Sequence, residues 1–406
     1  MCFAKPGTNF DFLISYLNSN TAQYFLNAVS PTLSYREGVL KNIPFVNEPT
    51  RIIIDLSQAS QRLSKEDWDA HETSWDFKDN ELVRILKSDL IPHLSINGEK
   101  QPNSEELSFV LDQYKLVWAD KFNQLHANEE ELNRQFIEIY GLQDELTPEV
   151  PLDEITILQQ GEISIDNNQI VWHDDVIIKQ LLSYAIGCWM GRYRLDKEGL
   201  NIAHYPAPEE ICTYDYNGDK FEIDDDAIIP LMGKDTPFED DNALQKIVNF
   251  VKMVFGEDKL TENLNFIEHC LGKSIEDYLI KDFWKDHKKM YQNRPIYWLF
   301  SSKKGAFQVL VYMHRMNPYT AEKVRTKYLL PYIEHLKGKI EIDEARGFDL
   351  TSVERKNLVK MQAALEECLE YHDRLHEIAI QNIGFDLDDG VVVNYAKFGD
   401  VLAIIK

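Results

Sequence analysis

The chain has 406 residues, of which 44% are hydrophobic and 27% are charged, and its formal net charge is −25 at pH 7. This composition excludes a disordered chain and predicts a soluble, globular protein of about two or three domains. The five cysteines show no CxxC spacing, which argues against a disulfide framework or a zinc site and fits a reducing cytoplasm.

The N-terminal region is predicted to be largely helical. Apolar residues at helical spacing predict a helix or a helix pair at 10–29, and the helical pattern at 105–140 ends at Gly141. A short extended segment is expected at 51–56, and Ser64 is expected to begin another helix. The N-terminus lacks a secretory signal and no apolar stretch has bilayer length, so we expect a cytoplasmic protein without a membrane partner.

The middle of the chain carries strand signals around one apolar helix. Alternating segments joined by an Asn-Asn pair and by an Asn-Gly pair predict hairpins at 162–172 and at 211–223. Residues 176–193 are apolar nearly all round, which is typical of a buried helix. Gly187 and Gly191 form a GxxxG pattern in that helix, and we expect it to allow close packing rather than to bind a cofactor.

The C-terminal region is predicted to be helical again. Helices are expected at 241–255, from Ser274, at 321–336 with a kink or break at Pro331, and at 354–383. A turn and a short strand are expected at the end of the chain. The fold class is therefore α+β, predominantly helical with short β-hairpins.

The same signals divide the chain into four parts. Residues 1–60 form one segment, 61–150 a helical region, 151–235 a mixed region with the hairpins and the buried helix, and 236–406 a helical region. No repeat of fixed period is present, so a repeat architecture is not expected.

Three features resemble metal sites, but each lacks part of the pattern that such a site needs. The aspartates at 386–389 and the Asp-Asn-Asp series at 215–219 lack the glycine and glutamate positions of an EF-hand loop, so turns are expected there. His372 and His376 lie four residues apart but have no third ligand at a suggestive spacing. The sequence also lacks GxSxG, Walker A and GxGxxG motifs, so no complete active site is predicted and a stand-alone nuclease has no motif support.

Positive and negative charges are segregated along the sequence. Residues 281–340 hold 13 Lys or Arg against 4 Asp or Glu, interleaved with aromatic residues, whereas residues 209–241 hold 12 acidic and 2 basic residues. We call residues 281–340 the basic segment. Cations that neutralise phosphates and rings that stack on bases favour a nucleic-acid surface, with an exposed loop at 301–305. The alternative is an aromatic core beneath an ordinary solvated face.

Several strings also resemble a known family, in the same order along the chain. The resemblance is to the C-terminal half of the BREX phage-defence adenine-specific DNA methyltransferases of the PglX or BrxX type, and residues 13–45 resemble the end of a target-recognition segment in that family. The strings that carry it are WDAHETSWDF, LNRQFIEIYGLQDELTPEVP, LLSYAIGCWMGRYRLDKEGL, RPIYWLFSSKKGAFQVLVYMHR and LDDGVVVNYAKFGD.

The resemblance implies a DNA-recognition and scaffolding region of an adenine-specific DNA methyltransferase. The family's catalytic domain, with its S-adenosylmethionine site and Asn-Pro-Pro-Tyr motif, would lie upstream and is absent from this sequence. No cofactor is therefore expected in this chain, and whether it has enzymatic activity stays open. The expected partner is double-stranded DNA, with other defence-system proteins as further candidates. The alternative is a protein-interaction module that docks partner subunits, through the acidic residues at 209–241, without contacting DNA.

Arginines are expected to contact guanine edges or phosphates, and lysines mainly phosphates. The candidate DNA-binding residues are Arg36, Arg192, Arg194, Arg294, Lys303, Lys304, Arg315, Arg325 and Lys327.

Overall fold

A computed structural model describes residues 7–30, 37–87, 95–96, 99–100, 105–384 and 386–405. Its helices are α1 (Phe10–Leu17), α2 (Asn20–Val29), α3 (Glu37–Leu40), α4 (Arg51–Asp69), α5 (Glu81–Lys87), α6 (Leu107–Tyr140), α7 (Asp174–Trp189), α8 (Ala243–Phe255), α9 (Leu260–Leu271), α10 (Ile275–Tyr278), α11 (Trp284–Met290), α12 (Thr320–Lys323), α13 (Leu330–Arg346), α14 (Ser352–Ala379) and α15 (Val391–Ala396). Its strands are β1 (Ser95–Ile96), β2 (Glu99–Lys100), β3 (Ile163–Asp166), β4 (Gln169–Trp172), β5 (Thr213–Tyr216), β6 (Asp219–Glu222), β7 (Ile228–Pro230), β8 (Tyr297–Ser301) and β9 (Gln308–Tyr312).

These elements form the predominantly helical α+β fold that the sequence predicts. The chain divides into two compact units, one of Met1–Ser74 with Leu111–Val176 and one of Trp75–Val110 with Ile177–Lys406. The four-part division of the sequence stays a prediction. A search of the described helices finds none with the length and apolar character needed to cross a membrane.

The first unit is built around a small aromatic and aliphatic core. Phe12, Tyr16, Leu26, Ile53 and Phe136 are among its buried members. The predicted helix pair is confirmed as α1 and α2, and the hairpin β3–β4 turns at its Asn-Asn pair as expected.

The extended segment expected at 51–56 is wrong, because these residues begin α4. Thr50 caps that helix by accepting a hydrogen bond from the Ile53 amide at 3.3 Å. Ser64 consequently lies inside α4 and does not begin a helix. The β-branched run at 52–54 has strand propensity, but burial of Ile53 against α1 and α6 decides the structure.

The second unit contains a three-stranded antiparallel sheet in the order β7-β9-β8. In the β8–β9 hairpin Tyr297 pairs with Tyr312 and Ser301 with Gln308. The prediction of an essentially helical C-terminal region missed this hairpin. Both strands are nearly continuous apolar runs, buried on both faces, so they lack the alternation by which a half-buried strand is recognised.

Helix α7 is buried as predicted, but it ends at Trp189, so Gly187 lies in the helix and Gly191 in the turn that follows it. A Cβ added at Gly187 would lie 2.6 Å from Cδ2 of the Tyr193 ring. Gly191 has φ +77°, and a Cβ there would lie 2.8 Å from Cγ2 of Ile223. Both positions therefore need glycine for close approach of neighbouring side chains.

The C-terminal helices follow the predictions except at the end of the chain. Ser274 caps α10, and α8 ends at Gly256. A π-helical turn, Val324–Leu329, precedes Pro331 and the helix then continues to Arg346, so the proline is accommodated without a break. The expected terminal strand is wrong: α15 and 3-10 turns occupy that region, and Leu402 makes an isolated bridge to Phe300.

Candidate nucleic-acid interface

The aromatic residues of the basic segment lie mainly in the core. Tyr297, Trp298, Phe300, Phe307 and Tyr312 are at most 1% exposed. Their rings pack within the unit, as in the T-shaped contacts of Trp298 and Phe300 with the Phe398 ring. Because buried rings cannot stack on bases, these aromatics support the fold of the candidate surface and do not form it.

Two of the candidate DNA-binding arginines are buried. The guanidinium of Arg315 donates to the backbone carbonyls of Met190, Asp224 and Asp225 at 2.6–3.2 Å. The guanidinium of Arg192 donates to the hydroxyls of Tyr193 at 2.9 Å and Tyr312 at 3.1 Å. Burial and internal hydrogen bonds give both side chains a structural role, so we leave them out of the proposed contact set.

Three further candidates are held by carboxylates of the same unit. Arg194 forms a bidentate salt bridge with the carboxylate of Asp196, with N–O distances of 2.7 and 2.8 Å. Arg325 pairs in the same way with Glu322 and also contacts Nε2 of His372 at 3.0 Å. The charge of each guanidinium is thus largely balanced within the unit, which weakens its attraction for phosphates.

Lys327 is the third candidate held by carboxylates, and it joins the basic segment to the acidic stretch at 209–241. Its ammonium lies 2.7 Å from Asp226 and 3.3 Å from Asp225, both in the acidic stretch at 209–241. Lys339 pairs with Asp235 of the same stretch. Part of the acidic stretch therefore neutralises the basic segment, whereas the sequence suggested two separate surfaces.

A buried charge network extends from this contact. The Lys246 ammonium lies 2.8 Å from Asp224 and 3.0 Å from Asp241, with Lys246 and Asp224 buried. Burial acts to raise the pKa of Asp224, but the charge of Lys246 and the hydrogen bonds from Lys246 and Asp226 together outweigh it, so the pKa is lowered. Burial, followed by the charge of Asp224, raises the pKa of Asp226 to about 6. The carboxylates of Asp224, Asp225 and Asp226 converge as metal ligands would, but ammonium groups already compensate them.

Three candidates remain exposed and make no side-chain ion pair or hydrogen bond with the part of the chain that the structure describes: Arg294, Lys303 and Lys304. Lys289 and Lys323 share this condition and Lys288 lies close to Lys289, but none of the three is among the candidates predicted from the sequence. Helical spacing could have indicated the outward position of Lys288 and Lys289. Phe283 and His287, four residues apart, face the core, so the two lysines lie on the outer side of the helix.

Lys303 and Lys304 lie in the β8–β9 loop, and we call them the hairpin pair. The loop is ordered by its own backbone: Gly305, at φ +80°, donates to the Ser302 carbonyl at 3.0 Å, and the Phe307 amide donates to the Ser302 hydroxyl at 2.9 Å. A carboxylate oxygen of Glu367 on α14 accepts from the Lys304 amide at 2.6 Å. The predicted loop at 301–305 is thus confirmed, and Glu367 fixes it from a position that no local pattern could reveal.

Arg294, Lys288 and Lys289 lie at the other end of β8, and we call them the turn cluster. The chain leaves α11 through Gln292 and Asn293, both left-handed, and their amides donate back to the carbonyls of Lys289 and Lys288. This tight turn holds Arg294 beside the last turn of α11. The Lys288 ammonium lies 5.3 Å from the centroid of the Trp284 ring, whose indole donates to the Tyr297 carbonyl of β8.

The remaining sequence features have simpler explanations. Arg36 lies outside the described residues. Asp386 and its neighbours form a capped 3-10 turn, and the 215–219 series forms the β5–β6 hairpin turn. His372 and His376 stack with centroids 6.4 Å apart, and Arg325 contacts the Nε2 atom of His372.

The chain matches no established protein-family model. It is 35% identical, across 97% of its length, to the adenine-specific methyltransferase BrxX of Escherichia coli O9:H4 (strain HS). It is 34% identical, again across 97% of its length, to the adenine-specific methyltransferase PglX of Lacticaseibacillus casei (strain Zhang). These alignments cover 33% and 32% of the two proteins, so the chain spans about a third of the length of the curated relatives it matches.

Proposed function

We propose that this chain belongs to the adenine-specific methyltransferases of the BrxX and PglX kind and forms a DNA-recognition and scaffolding part of such an enzyme in a phage-defence system. The relationship extends over nearly the whole chain, at 34–35% identity. In this proposal, S-adenosylmethionine binding and methyl transfer belong to regions of those enzymes outside the third that aligns. The partner is double-stranded DNA in the cytoplasm, and other defence proteins are further partners.

The observation that carries DNA binding is the placement of the uncompensated cations. The turn cluster and the hairpin pair flank β8, a strand of five residues that spans about 16 Å. This length is comparable with the major groove, which is about 12 Å wide. The two groups can therefore reach phosphates on either side of one groove, and the buried sheet beneath keeps their spacing fixed.

The proposal accounts for the net charge of −25. Six of the thirteen cations of the basic segment are paired with carboxylates and Arg315 is buried. The acidic remainder of the chain repels phosphates at long range. Affinity for duplex then depends on the few cations without a partner. We expect weak, strongly salt-dependent binding by this chain alone.

Affinity for a 30-base-pair duplex at low salt, measured by fluorescence anisotropy, tests the proposal. The variant removes three free cations: Arg294→Ala, Lys303→Ala and Lys304→Ala. The control removes three that are paired with Asp277, Asp282 and Glu334: Lys281→Ala, Lys285→Ala and Lys337→Ala. Both change the net charge by the same amount.

We expect the first variant to lose at least about tenfold in affinity and the control much less, because only free cations release counterions from the duplex. Equal losses would show that only the overall charge matters. Absence of duplex binding by the unmodified chain, together with capture of defence-system partners, would favour the protein-interaction alternative.

A further inference from the structure

The first unit contains a cavity that the proposed function does not use. It has a volume of about 630 Å³ and lies among α1, α2, α4, α6 and the segment at 150–156. This volume is within the range of about 300–1,000 Å³ typical of small-molecule sites. Ile14, Leu125, Leu132 and Val150 supply the apolar part of the wall, and the other lining residues are polar.

Many side-chain donors of the polar wall are already bonded to other oxygens of the protein. The hydroxyls of Ser15, Ser19 and Ser57 donate to backbone carbonyls of the first unit at 2.7–3.0 Å. The side-chain amides behave in the same way and donate to protein oxygens. These amides are Asn18, Asn20, Gln61 and Asn133. The groups left to face the cavity are therefore mainly oxygen lone pairs, which accept hydrogen bonds.

The cavity also has an excess of negative charge. Glu129 and Glu154 line it, and neither carboxylate has a hydrogen bond or ion pair with any residue that the structure describes. The one cation on the wall, Lys65, is held by Asp69 at 2.6 Å. In addition, the Ser60 hydroxyl is buried without a partner. Glu129 is partly buried, whereas Glu154 is exposed. A partly buried carboxylate without an ion pair is costly, and a bound cation would remove that cost.

We infer that this cavity binds a small organic cation with primary ammonium groups, of the polyamine class, through Glu129, Glu154 and the acceptor-rich wall. An ammonium group supplies three donors and a positive charge, which complements a wall of acceptors and carboxylates. The aliphatic stem of such a ligand would lie against Leu125 and Leu132. An anionic ligand would meet the carboxylates of Glu129 and Glu154, and the one lining cation, Lys65, is already paired with Asp69.

The titration of Glu129 gives the site a pH dependence. Burial raises the pKa of Glu129 to about 7, against a smaller lowering by His126 and a further rise from the charge of Glu154. The other charged groups nearby are Glu130, which contacts His126, and Lys65, which Asp69 compensates. Because Glu129 becomes anionic above about pH 7, the cation should bind more tightly at pH 8 than at pH 6.

Isothermal titration calorimetry with spermidine at pH 8 tests the inference on the full chain. Glu129→Gln keeps the shape of the side chain and removes its charge. Glu138→Gln is the matched control, because Glu138 lies exposed on the same helix, α6, and does not line the cavity. Mg²⁺ at equal ionic strength measures general attraction to an acidic protein.

We expect one spermidine per chain, affinity at least about tenfold weaker in Glu129→Gln and unchanged in Glu138→Gln, and no displacement by Mg²⁺. Equal weakening in both variants, or full displacement by Mg²⁺, would reduce the effect to general screening and overturn the inference. Absence of a saturable site at pH 8 would overturn it as well. None of these outcomes depends on whether the chain binds DNA.

Discussion

Lys246 illustrates how single charged residues are held in this protein. Its ammonium lies between Asp224 and Asp241, and it packs 5.1 Å from the Trp189 ring centroid. A buried carboxylate without its cation is much less stable than the intact pair. Glu129 is the opposite case, because its partly buried carboxylate forms no ion pair with the residues that the structure describes. These two residues give predictions about stability that are independent of function.

We expect Lys246→Ala to lower the free energy of unfolding by about 3–5 kcal/mol, because Asp224 would stay buried without compensation. The control is Lys252→Ala on the same helix, α8, whose pair with Glu257 is exposed and should contribute little. Urea unfolding followed by circular dichroism measures both. Similar losses in the two variants would show that the buried network is not a stabilising unit.

Glu129→Gln should raise the melting temperature at pH 8 more than at pH 5. The pKa of this carboxyl rises from 4.5 to about 7 on folding, so the folded state binds the proton more tightly. Wild-type stability therefore falls as pH rises between these values, and glutamine removes the loss. Glu138→Gln, which is exposed, should show no such difference. A pH-independent effect of Glu129→Gln would exclude ionisation of this group as its cause.

At the scale of elements, the sequence predicted helices and hairpins correctly where the turn residues or the hydrophobic periodicity were distinctive. The β5–β6 turn has its Asn217 and Gly218 in left-handed conformation, as the Asn-Gly pair predicts. Helix α7 was recognisable from its apolar surface. In contrast, α4 and the β8–β9 hairpin depend on tertiary burial of Ile53 and of β8, which short sequence windows do not contain.

Gly187→Ala in α7 should destabilise the protein by about 1–3 kcal/mol, because its methyl group would collide with the Tyr193 ring. That ring stacks on Tyr184 at 5.2 Å and cannot move freely. Gly338→Ala in α13 is the matched opposite: a Cβ there meets no atom within 4 Å, and alanine favours helix by about 0.5–1 kcal/mol. The melting temperature, measured by thermal unfolding, should fall in Gly187→Ala and rise in Gly338→Ala. A shift in the same direction in both variants would refute the packing role of Gly187.

At the scale of the whole molecule, sequence charge predicts less than its spatial arrangement does. Lys303 and Arg315 belong to one basic segment, yet the first is exposed and the second buried against three carbonyls. Composition cannot tell which of the two is exposed, because the exposure depends on where β9 ends and on which segments pack against it. The partners of Lys327 lie about a hundred residues away, at Asp225 and Asp226, and the loop anchor Glu367 is 63 residues from Lys304. The basic segment and the exposure of Lys303 and Lys304 were predictable, whereas the burial of Arg315 and the pairing of Lys327 were not.

The salt dependence of duplex binding tests the account most directly. Log affinity is measured against log salt concentration for the unmodified chain and for Lys303→Ala with Lys304→Ala. If the hairpin pair contacts two phosphates, the slope should become shallower by about 1.8, with weaker binding at every salt concentration. An unchanged slope and affinity would contradict the placement of DNA on this end of β8.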